Sequence, residues 1–535
     1  MKRGTKIFWI VAGTLLLVGV VVFVSADIAV SRLATREVNK TLAALPFDTA
    51  SVGAVHVKLF NGLAEVDDIR LAYRGEGLAR KKDTVYPGVD IRVERVFVGR
   101  LFYSLLVKKE VLVTDLKITR PQVELWMDEE HPELCFPEMP KDTAPMENPL
   151  KSIELLRLHV QNADLKLHSL RTQLDLVVDS CSLAVNDLRY DSVFSYCDSV
   201  YSLSLQHAAV MLPDGRMRIE TSDLEHADQG ALRLGKTRIA NTMPRKRLGD
   251  IVREPITWMD MTVGSVETAP LNPIRKALAK DFSLDYLNVT VDKMDIFRDE
   301  RYAPKEPFLM PQTIMTSLPV TFSLKQVDAS IKLLLIQLAT TNKNIGNMQL
   351  GDIRAKVENV TNRRGATMHV RGGCPLAGGL ADAEMTMTMN KDADFMMRLH
   401  AEGVNGAVLN TLIRPLVGIT FACDIDTLDT RYTGNSLKAE GSFRLLYHGL
   451  HVEVHKEDDI PYKIITEHAK TFTALGNTLI PKSNPTAVDV HPRAYSVEWK
   501  RDEWKPVPLY LFGPCIDGAK KTMLPGLYVH KQIKK

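Results

Sequence analysis

The sequence predicts a mainly β chain: an N-terminal transmembrane helix, a few further helices, and one long, curved antiparallel sheet shaped as a groove or taco. Three observations carry this. An apolar run from Ile7 to Ala26 holds no charge. Beyond residue 48 the apolar residues recur mostly with a period of two, the signature of strands. Helical spacing is confined to short stretches, too few to cover a large sheet.

The apolar run is twenty residues long. A helix of that length spans roughly 30 Å, the hydrocarbon thickness of a bilayer. Ile7, Phe8, Trp9, Leu15, Leu16, Leu17, Val22 and Phe23 are its membrane-facing candidates. Val24-Ser25-Ala26 imitates a signal-peptidase site, but the run exceeds the core of a signal peptide, and it reads as an uncleaved anchor. Lys2, Arg3 and Lys6 before it and Asp27 behind it keep the N-terminus in the cytoplasm and place the body outside.

Residues 27–48 continue as a polar connecting helix. Arg32, Arg36 and Lys40 share one face, Leu33, Val38, Leu42 and Leu45 form a rough apolar face, and Pro46 ends it. Val55, Val57 and Leu59 then alternate with His56 and Lys58, Asn61-Gly62 signals a hairpin, and Val66, Ile69 and Leu71 form the return strand. Val89 to Val98 is a further strand. Residues 111–125 read as a strand pair with Pro121 at an edge or break. After a loop over 128–150 the pattern restarts at Ile153, with Leu165 and Leu167 following Asn162-Ala163. This completes an N-terminal β module over 49–170.

A central β region covers 171–400. Leu174, Leu176 and Val178 open it, Pro213-Asp214-Gly215 makes a turn, and Asn272-Pro273 starts a short helix to about Lys280. The cleanest alternation is Glu384 to Asn390, with Met385, Met387 and Met389 on one face. These methionines read either as a packed face or as a lipid-facing one, since thioethers adapt to mobile apolar ligands. A C-terminal meander covers 401–455 after a short helix stopped near Pro415, and residues 456–535 form a helical and irregular end.

Composition removes several functional classes. A net charge of +3 gives no case for nucleic acid, and Arg80-Lys81-Lys82 and Arg245-Lys246-Arg247 are short clusters. No HExxH, GxSxG, Walker A or GxGxxG element occurs, so no catalytic residue is assigned. His448, His451 and His455 would lie too far apart on a strand to share one ion, and Asp424, Asp426 and Asp429 lack the Gly and closing Glu of a calcium loop. No metal or cofactor is assigned. The six cysteines fit no zinc pattern, and Cys181 and Cys197 could pair only in an oxidising compartment.

A sheet folded lengthwise hides its apolar face inside a trough suited to acyl chains. About fifteen strands at about 4.8 Å each would make it roughly 70 Å long. At this point the chain resembles the AsmA-like family of membrane-anchored envelope proteins, in its Bacteroidota form. The resemblance rests on the anchor, the hairpin through Asn61-Gly62, the segment Leu116-Lys117-Ile118-Thr119-Arg120-Pro121-Gln122-Val123-Glu124-Leu125, and the restart from Ile153 to Leu158 followed by Asn162-Ala163-Asp164-Leu165. Gly441 to Tyr447 and the segment from Arg501-Asp502 to Gly518 are similar to its C-terminal parts, whereas 180–350 carries no family motif. The resemblance implies an inner-membrane anchor, a periplasmic body, phospholipid as partner and a role in outer-membrane biogenesis. The rival expectation is a non-enzymatic tether or assembly factor that binds an envelope protein. An envelope hydrolase would need a pocket of convergent polar groups, which the sequence does not display.

Overall fold

A computed structural model describes residues 27–58, 62–79, 84–99, 110–128, 131–137, 152–171, 173–191, 201–212, 215–227, 230–272, 276, 282–318, 321–340, 344–456, 467–487 and 490–525. Asn61, Cys197, most of the segment 273–280 and all the anchor candidates from Ile7 to Phe23 lie outside these residues. The chain forms two compact units, Met1–Gly230 and Ala231–Lys535. Both are mainly β, as the period of two requires.

In the first unit, helix α1 (27–43) precedes β1 (Thr49–Ser51), β2 (Ala54–Lys58) and β3 (Leu63–Arg74). A small ribbon of β4 (Leu78–Ala79) and β5 (Thr84–Val85) leads to β6 (Gly88–Gly99), β7 (Glu110–Val113) and β8 (Asp115–Met127). Then come β9 (Ser152–Ser169), β10 (Asp175–Asp191), β11 (Tyr201–Met211) and β12 (Met217–Ala227). β1 and β2 lie on one side of β3, and the sheet continues through β6, β8, β9, β10 and β11 to β12.

Two expectations are corrected here. The sheet is mixed, not antiparallel: β7 and β8 both run parallel to β9. The two strands expected over 111–125 divide at Thr114, not at Pro121, which sits in the interior of β8 opposite Val93. It is tolerated because the ladder to β9 is interrupted there, between Thr119↔Gln161 and Gln122↔Asp164. β9 runs straight through Asn162-Ala163.

The misplaced break at Pro121 has a structural cause. Asp68, Arg120, Asn162, Ser180 and Asp223 all have positive φ, between 47° and 57°. They lie along one line across the strands, where the apolar residues step by three: Val66 to Ile69, Val93 to Val96, Ile118 to Pro121, Val160 to Ala163, Val178 to Cys181. An inserted left-handed residue flips the pleat, increases local twist, and returns the apolar set to the same face.

The second unit opens with β13 (Ala231–Leu234), β14 (Thr237–Asn241) and α2 (Arg245–Val252). β15 (Ile256–Pro270), β16 (Phe282–Asp299), α3 (Pro311–Thr316), β17 (Phe322–Ala339) and β18 (Ile345–Thr361) follow. β19 (Thr367–Leu376), β20 (Gly379–Thr388), β21 (Phe395–Asn405), α4 (Asn410–Val417), β22 (Ile419–Gly434) and β23 (Lys438–Val454) continue the sheet. The end holds α5 (Ala469–Leu479), β24 (Ala494–Lys500), α6 (Val507–Leu511) and α7 (Gly513–Met523). From β15 to β24 the strands pair in chain order. The pair β16–β17 is parallel, its crossover carrying α3. The expected short helix near 405–417 is α4 behind a 3-10 turn, Gly406–Leu409; it contains Pro415 and stops at Gly418 with φ 71°.

Sheet edges are closed by helix side chains. Thr35 Oγ1 accepts from the Val55 N–H at 2.8 Å, Ser31 Oγ accepts from the Val57 N–H at 2.8 Å, and the Asn39 amide exchanges two bonds with Val52, at 2.8 and 3.0 Å. These residues stand at i, i+4 and i+8 on α1, whose Val30, Ala34, Val38 and Leu42 pack on Val52, Val55 and Val57. Leu33, expected on the apolar face, is 61% exposed, because the face that docks is rotated from the one read in the sequence. The second unit repeats the device at the same four-residue spacing. Asn477 exchanges bonds of 3.0 and 2.6 Å with Val452, and Thr473 accepts from the Val454 N–H at 2.9 Å. At β24, Asp517 accepts from the Glu498 N–H at 3.3 Å and Lys521 donates to the Ser496 carbonyl at 2.9 Å.

α6 and α7 seal the C-terminal strands of the second unit. One cluster joins Met310, Phe395, Met397, Tyr432 and Tyr510; another joins Cys423, Phe443, Leu445, Tyr447 and Val497, with Cys515 touching both. Burial pushes the Cys423 and Cys515 thiols up to about 11, with the charge of Asp424 adding to the effect at Cys423.

Asn39→Ala and Asn477→Ala each strand a peptide N–H and C=O, and each should destabilise its unit by about 1–3 kcal/mol; urea unfolding of the full chain measures this, with Asn39→Asp restoring only the acceptor half. At pH 8 the raised thiol values lower the thiolate fraction of Cys423 and Cys515 about 100-fold from that of an ordinary thiol at 9.0. Iodoacetamide should therefore label both far more slowly in the native chain than in urea. Equal rates would show that the two clusters are open.

Candidate functional site

The pairing register assigns every strand residue of the first unit to a face. Leu116 lies opposite Leu158, Ile118 opposite Val160, Val123 opposite Leu165 and Leu125 opposite Leu167. The same face continues through Leu167↔Leu176 and Leu165↔Val178 on one side and Val96↔Ile118 and Ile91↔Val123 on the other. These are aliphatic side chains in direct cross-strand contact, the arrangement that stabilises a sheet laterally. Yet Leu116, Ile118, Val123, Leu125, Leu158, Val160, Leu165 and Leu167 are only half-buried. Among the described residues, the buried cluster of this unit lies under α1, at Val52, Val55 and Val57, and does not include them.

The opposite face is ionic. Arg95 pairs with Asp67 at 2.7 Å and Arg157 with Asp115 at 2.7 Å. His168 bridges Asp175 at 2.8 Å and Glu124 at 3.1 Å while stacking on Trp126, and His207 meets Asp179 at 2.9 Å. Such exposed pairs contribute little stability each. Their effect is to make this the wet face, which leaves the aliphatic face as the one that requires cover.

The first strands of the second unit repeat the division. Met261↔Met294, Ile331↔Ile353 and Ile336↔Met348 share one face, and Met261, Met294, Ile331, Leu334 and Ile336 are half-buried. Asp260 and Asp295, and Asn288 and Asp328, share the other. The Asp260 carboxyl is held below the usual range by its hydrogen bonds from Arg238 at 3.0 and 2.8 Å. α4 lies against β17, β18 and β22, with Gly346 of β18 beneath Leu412.

Met385, Met387 and Met389 belong to a different environment. Met385 and Met387 pack against the cluster of Phe395, Met397 and Tyr432, and Met389 has 0% exposure. Met389, with no accessible surface, offers nothing to a ligand, while Met385 and Met387 stay half-buried against that cluster. The aliphatic rows of β8 and β9 keep partial exposure. Their signal was present in the sequence as the alternation through 111–178, but that alternation identifies strands without telling which face stays uncovered.

The remaining polar candidates are occupied locally. His448 bonds Asp426 at 3.0 Å and approaches Asp424 at 3.4 Å, His455 bonds Thr420 at 2.7 Å, and Asp429 is shared by His400 and Arg444. Among the described residues no group of three or more His, Cys, Asp or Glu side chains could hold a metal ion. Cys181 stands as a free thiol on the aliphatic face of β10. Among the described residues no helix is long and apolar enough to cross a membrane. Comparison with protein-family models, with curated proteins and with solved structures finds no match for this chain.

Proposed function

We propose that this chain is an AsmA-like envelope protein, anchored in a bacterial inner membrane by Ile7 to Ala26, that binds or conducts phospholipid acyl chains along the aliphatic face of a curved, groove-like sheet in the periplasm. It takes part in outer-membrane biogenesis and performs no catalysis. The observation that carries the reading is the aliphatic row of Leu116, Ile118, Val123 and Leu125 on β8 and Leu158, Val160, Leu165 and Leu167 on β9, half-buried and outside the buried cluster under α1, backed by a face laced with ion pairs.

Acyl chains suit such a surface. They are apolar and conformationally adaptable, and they need no directional partner. Covering exposed aliphatic area is worth about 25 cal/mol per Å², so about 200 Å² of contact would contribute roughly 5 kcal/mol before the cost of ordering the chain. The anchor supplies a second support. It would hold the body beside a bilayer that serves as donor or acceptor.

Photo-crosslinking in the full-length chain tests this. A benzophenone amino acid at Val123 or Leu165 should yield phospholipid adducts, and the same group at Gln122 or Lys166 on the ionic face should not. Leu165→Arg should cut lipid adducts at Val123 several-fold while leaving urea unfolding within about 1 kcal/mol. Adducts to a protein alone at Val123 and Leu165 would replace the lipid reading with the tether or assembly factor, and adducts distributed equally over both faces would overturn a face-specific site altogether.

A further inference from the structure

The second unit carries a concavity of about 680 Å³ on its polar face, across β16 to β21. Four cations line it: Arg354, Lys356, Arg371 and Arg398. Their arrangement is unusual for a sheet. Lys356 lies directly opposite Arg371, and Arg398 directly opposite Arg431. Like charges facing each other on neighbouring strands are destabilising.

The acidic residues nearby do not neutralise them all. Asp328 accepts from the Tyr286 hydroxyl at 2.9 Å and from Gln326. Lys356 pairs with Glu358 at 2.8 Å, while Glu384 reaches Arg371 only at 3.9 Å. Asp382 also lines the concavity. Among the described residues, the Arg354 and Arg398 side chains have neither an ion pair nor a hydrogen bond, although Glu384 stands directly opposite both Arg398 and Arg371. Between Arg354 and Asp382 the register places Gly373, and the Asp382 carboxylate occupies the space a side chain there would take.

We propose that this concavity is a binding site for a phosphate-bearing ligand, with Arg354 and Arg398 as its principal contacts and Arg371 and Lys356 beside them. Guanidinium groups bind phosphate through paired N–H bonds, and an anion between facing cations removes their repulsion. The volume lies in the range of small-molecule sites. Arg371 and Arg398 stand two strands apart, about 10 Å at the backbone, so a ligand with two anionic groups fits better than one with a single charge. The proposal is independent of the acyl-chain reading, which concerns the other face.

The test uses the full-length chain in neutral detergent micelles, with thermal unfolding as readout. The two probes are pyrophosphate and a short-chain phosphatidic acid, each at constant ionic strength. A saturable rise of several degrees with either probe is expected, lost in the Arg354→Gln/Arg398→Gln double variant and kept in Arg157→Gln. Without probe, the double variant should unfold within a few degrees of the parent chain, because neither arginine side chain makes an ion pair or a hydrogen bond there. A response to pyrophosphate alone assigns a soluble phosphate; a response to the lipid alone assigns a headgroup. No response to either, or equal responses in all three proteins, overturns the site.

Discussion

The open edges of its sheets are the constraint that organises this protein. A strand edge presents a row of unpaired peptide N–H and C=O groups, which cost free energy when dry and recruit other chains when wet. Here helices supply the missing neighbour. The side-chain amide of asparagine carries the same donor and acceptor as a peptide, so Asn39 on Val52 and Asn477 on Val452 each replace one residue of an absent strand. Asn410 does the same for Phe421, at 2.8 and 3.0 Å. A threonine one turn earlier, Thr35 or Thr473, extends the imitation to the next exposed N–H.

This use of helices has a consequence for the faces. α1 lies along β1 and β2 and α5 along β23, where their polar stripes do the closing. Helices committed to edges leave the Leu, Val and Ile rows of β8 and β9 only half-buried among the described residues. At the C-terminal end of the second unit, by contrast, α6 and α7 press on β21 to β24, and Phe443, Tyr432 and Val497 are buried almost completely. Side chains of similar chemistry are thus sealed in one part of the chain and accessible in another. The difference lies in what packs on them.

Much of the strand content was legible because a period of two survives any tertiary context. Strand direction was not, since a parallel and an antiparallel neighbour demand the same alternation; the crossovers into β9 and β17 decide it. The row of left-handed residues was legible only as an error. Pro121 reads as an edge or a break because the apolar series slips by one there, and only the register shows the neighbouring strands slipping together. The edge-closing residues were invisible for another reason: Ser31, Thr35 and Asn39 are ordinary polar residues on a helix until a backbone is placed beside them. The methionine stripe left two readings open because alternation is equally strong on a sealed face and an open one.

The slip itself is what allows an open face to persist over many strands. If only one strand inserted a residue, its apolar set would cross to the ionic face and confront Arg95, Arg157 or His168. Because Asp68, Arg120, Asn162, Ser180 and Asp223 share one transverse line, the inserted residue is matched by a residue skipped on the neighbour, as Asp68 is by Glu94. The aliphatic rows on either side of the line therefore remain on one surface while the strands change pitch. A flat run of this many strands would be a template for stacking on a second sheet. Twisted at a shared line and closed at its edge by α1, the same aliphatic surface is a poor match for another rigid sheet.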